Sequence, residues 1–302
     1  MPTLVNKTAR LRVRCRHVGM TLIEMVIAIT LAGILAIFTV RFITTAMLGY
    51  DDLSRRAALV DIAEGALRRA GRDIRLALPN SVRISDTAAN ISFVLELIPV
   101  LDGGKYNTKF GTPNEKLGFT GDDHFDLNGT FQNSATLTTS GIRLVINNLG
   151  TTGNDVYADA AGGSGVAGVI TSTATTISIT PVGVNHHIYL NPAYDFKGTA
   201  TTGVNQRVYV VTTPVTYLCN ATAGTLMRYA GYTITSSQPT DPSAAPLATA
   251  ASARIVDHVS SCRAYSTSSD VRDRGLVTLA LTLADSGEEV RLIYQVQLDN
   301  SQ

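Results

Sequence analysis

An uninterrupted apolar run near the N-terminus constrains this chain more than any other feature. Between residues 20 and 40 the only charged residue is Glu24, proline is absent, and Gly33 is the single glycine. A helix rises about 1.5 Å per residue, so a run of this length just spans a hydrocarbon core of roughly 30 Å. The run therefore predicts one transmembrane helix over residues 20–40.

The segment before the run is basic. Residues 1–18 contain five lysines and arginines and no acidic residue. Positive charge marks the cytoplasmic side of a span, so the rest of the chain is expected to face outward, into the periplasm. A secretory signal has its small-residue cleavage site after the apolar core, whereas here the small residue, Gly19, precedes it. We expect the leader, residues 1–19, to be cut off on the cytoplasmic side and the apolar segment to remain.

Leader, glycine and span together resemble the N-terminus of type IV prepilins and of type II secretion pseudopilins. The matching string is Gly19 followed by Met20-Thr21-Leu22-Ile23-Glu24. The resemblance implies that a membrane-embedded prepilin peptidase cleaves between Gly19 and Met20 and then N-methylates Met20. Methionine stands where the family most often has phenylalanine, but its side chain has similar bulk and is equally apolar.

Glu24 is the one charge within the predicted span. A carboxylate inside a bilayer costs free energy, so it usually has a partner and a role. One interpretation places Glu24 near the membrane edge, where its side chain reaches the headgroups. The family resemblance implies another: Glu24 pairs with the free amino group of Met20 of a neighbouring subunit and sets the register of filament assembly.

Residues 41–78 predict an amphipathic continuation of the helix. Apolar side chains recur every seven residues, at Leu53, Val60, Leu67 and Ile74. Gly65 and Gly71 weaken a helix intrinsically, so packing must hold this one, and Pro79 ends it. The arginines on its other faces are either a solvated surface or a subunit contact.

Residues 79–302 predict a β-rich head. Segments rich in β-branched and apolar residues are expected to be strands, namely residues 81–85, 91–100, 142–147, 176–180, 206–212, 215–219, 225–234, 276–283 and 288–298. Residues 254–262 fit either a short helix or a strand, and residues 102–140, 150–168 and 236–251 are predicted to be mostly loop. The fold class is thus α+β. It is pilin-like by resemblance, with a long N-terminal helix packed on an antiparallel sheet domain and an expanded β-rich C-terminal part.

Three cysteines are present. Cys15 lies in the leader and would stay in the reducing cytoplasm. Cys219 and Cys262 lie in the part that is delivered to an oxidising compartment, so a disulfide between them is predicted, with two buried free thiols as the alternative.

Two segments were tested as metal sites. Aligning residues 121–129 with a calcium loop places His124 at the first ligand position and Ala135 at the last, and neither is a hard carboxylate. A polar turn leading into a strand is the preferred interpretation, with an irregular calcium site as the alternative. For His186 and His187 no third ligand lies nearby in sequence, so a surface or packed pair is expected. No metal or cofactor is predicted.

Composition excludes other classes of function. Without the five leader cations, the 25 basic residues fall to 20 against 24 acidic ones, so the mature chain lacks the positive charge of a nucleic-acid-binding protein. No nucleophile elbow, phosphate loop or persuasive carboxylate pair is present, so the chain is not expected to be an enzyme.

The residues that follow the helix and several segments in the last third of the chain make the resemblance more specific. Residues 78–83, 214–219, 224–229, 274–283 and 289–300 resemble the larger, MshO-type minor pilins of the mannose-sensitive haemagglutinin (MSHA) pilus. The resemblance implies a role in pilus assembly or initiation, first in the inner membrane and then in the surface fibre. The implied partners are the prepilin peptidase and N-methyltransferase, the major and other minor pilins, and the inner-membrane assembly platform. A type II secretion pseudopilin and a tip adhesin that binds a surface ligand are the alternatives.

Overall fold

The computed structural model describes residues 19–86, 92–109, 115–133, 137, 141–160, 167–198, 206–266 and 275–298. The predicted leader up to residue 18, with Cys15, lies outside these ranges, as does Ala135. Two compact units divide the chain, the first ending at Ser54 and the second beginning at Arg55.

Two α-helices and fourteen strands make up the described part of the chain. The helices are α1 (Leu22–Arg75) and α2 (Val156–Ala160). The strands are β1 (Arg83–Asp86), β2 (Ser92–Leu97), β3 (Val100–Lys105), β4 (Asp122–Asp126), β5 (Arg143–Ile146), β6 (Thr176–Val182), β7 (Asn185–Tyr194), β8 (Arg207–Val211), β9 (Val215–Asn220), β10 (Thr225–Ala230), β11 (Ala251–Val256), β12 (Val259–Ser266), β13 (Leu276–Asp285) and β14 (Glu288–Gln297). A single 3₁₀ turn, Leu247–Thr249, precedes β11 among the described residues.

The first unit contains the beginning of α1. Its apolar side chains are exposed, among them Leu22, Ile37 and Phe42 at 84%, 63% and 77%. Within the described part of the chain, α1 is the helix that is long and apolar enough to cross a membrane. The predicted span is confirmed to this extent: a single apolar N-terminal helix of sufficient length.

From residue 55 onward, α1 buries one face. The buried side chains follow helical spacing, at Leu59, Ala63, Ala66, Leu67, Ala70, Gly71 and Ile74. The predicted seven-residue stripe is correct for Leu67 and Ile74, whereas Val60 is half-buried and Leu53 is 68% exposed. A straight helix drifts about 20° per seven residues, so the buried face shifts away from a strict heptad repeat.

The helix ends at Arg75, three residues before the predicted end. Ala77 forms a β-bridge with Pro99, and the N–H of Leu78 donates to the carbonyl of Ile98 at 2.7 Å. Asn80 then adopts a positive φ of 62°, which turns the chain towards β1. Backbone pairing with the segment after β2 therefore replaces the last helical turn.

Two antiparallel sheets share a core with α1. The five-stranded sheet has the order β1-β2-β9-β10-β11, and a three-stranded sheet has the order β12-β13-β14. Leu95 of β2, Tyr217 of β9 and Leu281 of β13 are buried in the same apolar cluster as the helix side chains. The predicted general layout, a long apolar helix followed by antiparallel β-structure, is thus present.

Two further three-stranded sheets, β3-β8-β5 and β4-β7-β6, carry the rest of the described head. Their main apolar cluster includes Phe125, Ile188 and Val208, all fully buried. A smaller cluster joins Val145 and Val211 to Val156 of α2.

Several element predictions are corrected. The predicted single strand over residues 91–100 is divided in its described part between β2 and the start of β3, because Pro99 lacks the N–H that a continuous ladder needs. Residues 254–262 belong to two strands, β11 and β12, and not to a helix. The loop predicted over 150–168 contains α2, and β7 had not been predicted at all.

Candidate functional sites

The predicted cleavage site lies directly before the first turn of α1. Gly19 and Met20 are both exposed, Met20 at 66%. Nothing lies within 4 Å of the position that a Cβ on Gly19 would take. No described residue therefore covers the peptide bond between Gly19 and Met20.

Glu24 lies in the first turn of α1, three residues after the helix cap. Its backbone N–H donates to Thr21 Oγ1 at 3.3 Å, and the N–H of Met25 donates to the Thr21 carbonyl at 3.1 Å. Threonine followed three residues later by glutamate is the sequence of a capping box. The cap involves the backbone N–H of Glu24 and not its side chain. No described residue pairs with the Glu24 carboxylate, so this group can contact a partner outside the chain.

The arginines of α1 are of two kinds. Some are tied to the protein: Arg68 pairs with Glu64 at 2.5 Å, and Arg75 Nη2 donates to Tyr294 Oη at 2.6 Å. Arg69 and Arg72 are exposed and have no ion-pair partner among the described residues. All four of these arginines are exposed, so they lie on a solvated face of the helix in this chain.

A disulfide joins Cys219 of β9 to Cys262 of β12. Both residues are 1% exposed and lie in the apolar cluster that includes the buried face of α1. The predicted disulfide is therefore present, and it links the five-stranded sheet to the three-stranded sheet of β12, β13 and β14.

A half-buried carboxylate fastens α1 to the five-stranded sheet. Asp73 Oδ2 accepts hydrogen bonds from Tyr217 Oη at 2.7 Å and from Arg228 Nε at 3.0 Å. Burial raises the pKa of the Tyr217 hydroxyl, and the Asp73 carboxylate raises it further. The tyrosine thus remains a hydrogen-bond donor, and the helix is held by one acceptor and two donors from neighbouring strands.

A second polar network is centred on Glu96 of β2. The Glu96 carboxylate is 0% exposed, and it accepts from Arg83 Nε at 2.5 Å and from Tyr232 Oη at 2.9 Å. Burial raises the pKa of Glu96, while the hydrogen bonds from Arg83 and Tyr232 lower it. The Arg83 guanidinium also lies 3.7 Å from the ring centroid of Tyr157, which places it in a cation–π contact.

The segment tested as a calcium loop contains strand β4 instead. Ligand atoms of Asp122, Asp123 and His124 lie within 4.8 Å of one another, as a small cation would need. However, Asp122 Oδ2 already accepts from the Gly118 N–H at 2.5 Å, and Asp123 Oδ1 lies 2.5 Å from His124 Nδ1. Each of the three side chains therefore has a hydrogen-bond partner within the protein.

Sequence reasoning missed how β4 and β7 bring histidines together. His124 pairs in register with Tyr189, and Asp126 pairs with His187, so their side chains share one face of the sheet. Glu115 contacts Nε2 of His124, and the two imidazole centroids are 5.3 Å apart. The hydrogen bond with Asp123 raises the pKa of His124. No local pattern predicts this group, because its members come from separate segments.

His186 points to the opposite side from His187. Its Nδ1 accepts a hydrogen bond from the Phe131 N–H at 3.0 Å, and its side chain is buried. His187 instead contacts the buried carboxylate of Asp126. The two histidines are therefore packed, as expected, but each has a separate partner.

No family model, no curated protein and no solved structure matches this chain. The candidate sites therefore rest on the residues and geometry described above.

Proposed function

We propose that this chain is a minor pilin subunit of an MSHA-type type IV pilus. The observation that carries the proposal is the exposed Gly19–Met20 bond, followed at once by a capped apolar helix that holds Glu24 in its first turn. Prepilin-like proteins need an accessible glycine, a span that remains after cleavage and an acidic residue near the new N-terminus. This chain has an exposed Gly19, Glu24 in the first turn of α1 and an apolar helix that continues well beyond Glu24, which supports the proposal.

The head suits a role in assembly rather than catalysis. Two polar networks in its interior are internally paired: Asp73 with Tyr217 and Arg228, and Glu96 with Arg83 and Tyr232. The first network fixes the helix to the five-stranded sheet, and the second joins β1 and β2 to Tyr232. In the proposed subunit, the anchored helix is the element that enters the fibre, and the prepilin peptidase, other pilins and the assembly platform are its partners.

The proposed cleavage is tested by intact mass and N-terminal sequencing of the full-length gene product, extracted from membranes of a host that carries prepilin peptidase. We expect a chain that begins with N-methylated Met20. The variant Gly19→Leu should remain a precursor, because the peptidase cleft accepts no side chain there. Gly33→Leu is the matched control, since nothing lies near either glycine. A chain that begins at Met1 in the unaltered protein would overturn the proposal.

The proposed role of Glu24 is tested separately. Glu24→Ala keeps the Thr21 cap, because the backbone N–H donates to it. We therefore expect normal cleavage and a folded helix but loss of the subunit from sheared pili, measured by immunoblotting of the fibre fraction. Thr30→Ala, an exposed change within the same span, should assemble normally. Recovery of Glu24→Ala in fibres at the unaltered level would exclude the proposed charge pair.

A further inference from the structure

Strands β3 and β8 place two cations directly opposite each other. Lys105 pairs in register with Arg207, and Gly103 pairs with Tyr209 two residues away. Residues opposite each other in an antiparallel pair point to the same face, with Cβ atoms about 5 Å apart. Both cations are exposed, and no described carboxylate forms an ion pair with either of them.

This pairing is unfavourable for the fold itself. Like charges directly opposite each other on a sheet destabilise it. Other cations of the described head have acceptors within the protein, as Arg83 has Glu96 and the buried Arg143 has the Thr171 carbonyl. Lys105 and Arg207 instead form a like-charge cross-strand pair, so an anion bound between them would relieve their repulsion.

The two cations border an open groove of about 290 Å³, lined also by Gly103, Gly104 and Tyr209. Gly103 lets the ring of Tyr209 lie close over the backbone of β3. A Cβ at this position would lie 3.3 Å from Cδ1 of Tyr209 and 3.6 Å from Cε1. The lining of the groove therefore contains one aromatic ring, that of Tyr209, and the two positive charges of Lys105 and Arg207.

We propose that this groove binds an acidic saccharide. A sugar ring would lie against Tyr209, and its carboxylate would lie between Lys105 and Arg207, where the guanidinium can donate two parallel hydrogen bonds. The groove is at the lower end of the size of small-molecule sites, which suits one or two sugar residues. The proposal does not depend on whether the chain enters a pilus.

Other anionic ligands fit the groove less well. A nucleic-acid strand needs a row of cations along its backbone, whereas this groove offers a single pair on a chain whose acidic residues outnumber the basic ones after the leader is removed. An oligoglutamate peptide would engage the cations but has no ring that could stack on Tyr209. These ligands therefore serve as comparisons in the test.

The test is titration calorimetry of the full-length protein in neutral detergent. The probe is hexagalacturonate, and the comparisons are neutral cellohexaose, hexaglutamate and a short single-stranded DNA. We expect hexagalacturonate to bind more tightly than each of the others, and its affinity to fall as salt is added. Binding of cellohexaose, hexaglutamate or DNA as tight as that of hexagalacturonate would overturn the proposal, as would no binding of hexagalacturonate at millimolar concentration.

Variants separate the site from a general charge effect. Lys105→Gln and Arg207→Gln should each weaken hexagalacturonate binding about tenfold, because each removes one charge contact. The matched control is Arg291→Gln, an exposed arginine on β14. Neither groove variant should melt at a lower temperature than the unaltered protein, since each relieves the repulsion between the cations. An equal loss of affinity in Arg291→Gln, or unchanged affinity in both groove variants, would contradict the proposal.

Discussion

The ring of Tyr294 in β14 lies against Gly71 of α1, where any larger residue would have its Cβ. A Cβ on Gly71 would fall on the edge of that ring and 3.2 Å from Cγ2 of Val296. The Tyr294 hydroxyl accepts a hydrogen bond from Arg75, one turn further along the helix. The glycine weakens the helix locally, but it allows α1 to approach β14 this closely.

We expect Gly71→Ala to destabilise the protein by about 1–3 kcal/mol. Alanine favours the helix by up to about 1 kcal/mol, but its methyl group would displace Tyr294, and overpacking of this kind costs more than the helix gains. The measurement is denaturant unfolding followed by circular dichroism in detergent.

Gly65→Ala is the matched control, because nothing lies within 4 Å of a Cβ at that position in the same helix. It should stabilise the protein by up to about 1 kcal/mol. Equal effects of the two substitutions would mean that the contact between Gly71 and Tyr294 does not constrain the helix.

The disulfide between Cys219 and Cys262 should contribute about 4 kcal/mol. It closes a loop with a sequence separation of 43, and the chain-entropy model gives this magnitude for such a loop. We expect reductant to lower the denaturant midpoint of the unaltered protein. The Cys219→Ser, Cys262→Ser double variant should start from the lower midpoint and show no further change with reductant. A midpoint that is the same with and without reductant would contradict a stabilising disulfide.

Local patterns in the sequence predicted the elements that pair with near neighbours. The hairpin of β13 and β14 follows from the alternation of Val277, Leu279, Leu281 and Leu283, all of which are buried, and from the turn at Ser286 and Gly287. Strand β7 was missed because its second half is mostly exposed and contains Pro192, which interrupts the alternation.

The candidate sites also differ in whether their residues are close together in the sequence. Gly19 and Glu24 belong to one short motif and can be recognised in the sequence. The contact of Asp73 with Tyr217 joins residues 144 positions apart, and the cross-strand pair of Lys105 and Arg207 also depends on register. Since register is set by tertiary packing, no window of the sequence contains these relationships.

Arg83→Met should destabilise the protein by about 3 kcal/mol at pH 8. The substitution keeps an apolar stem near Tyr157 but leaves the buried Glu96 carboxylate without its ion-pair partner, which is the costly way to break such a pair. The measurement is the free energy of unfolding at a series of pH values.

The loss in Arg83→Met should be smaller at pH 5 than at pH 8. Burial already raises the pKa of Glu96 above its usual 4.5, and removal of Arg83 deletes a contribution that lowers it. A carboxyl with a raised pKa in the folded state favours folding most below the unfolded value, and this contribution is lost as the pH rises through the folded value. The Arg83→Met, Glu96→Gln double variant should lack this pH dependence. A loss that grows towards acid pH would contradict this assignment.

Asp73→Asn should loosen the helix from the five-stranded sheet. The substitution removes the charge that accepts hydrogen bonds from Tyr217 and Arg228, and hydrogen bonds to charged groups contribute about 1.5–3 kcal/mol each. We expect a loss of about 2 kcal/mol, together with faster amide hydrogen exchange in residues 66–75. Asp61→Asn, a change of an exposed carboxylate on the same helix, should alter stability by less than about 0.5 kcal/mol. If Asp73→Asn exchanges no faster than Asp61→Asn, the helix is held by its apolar face alone, and the contact with Tyr217 and Arg228 does not anchor it.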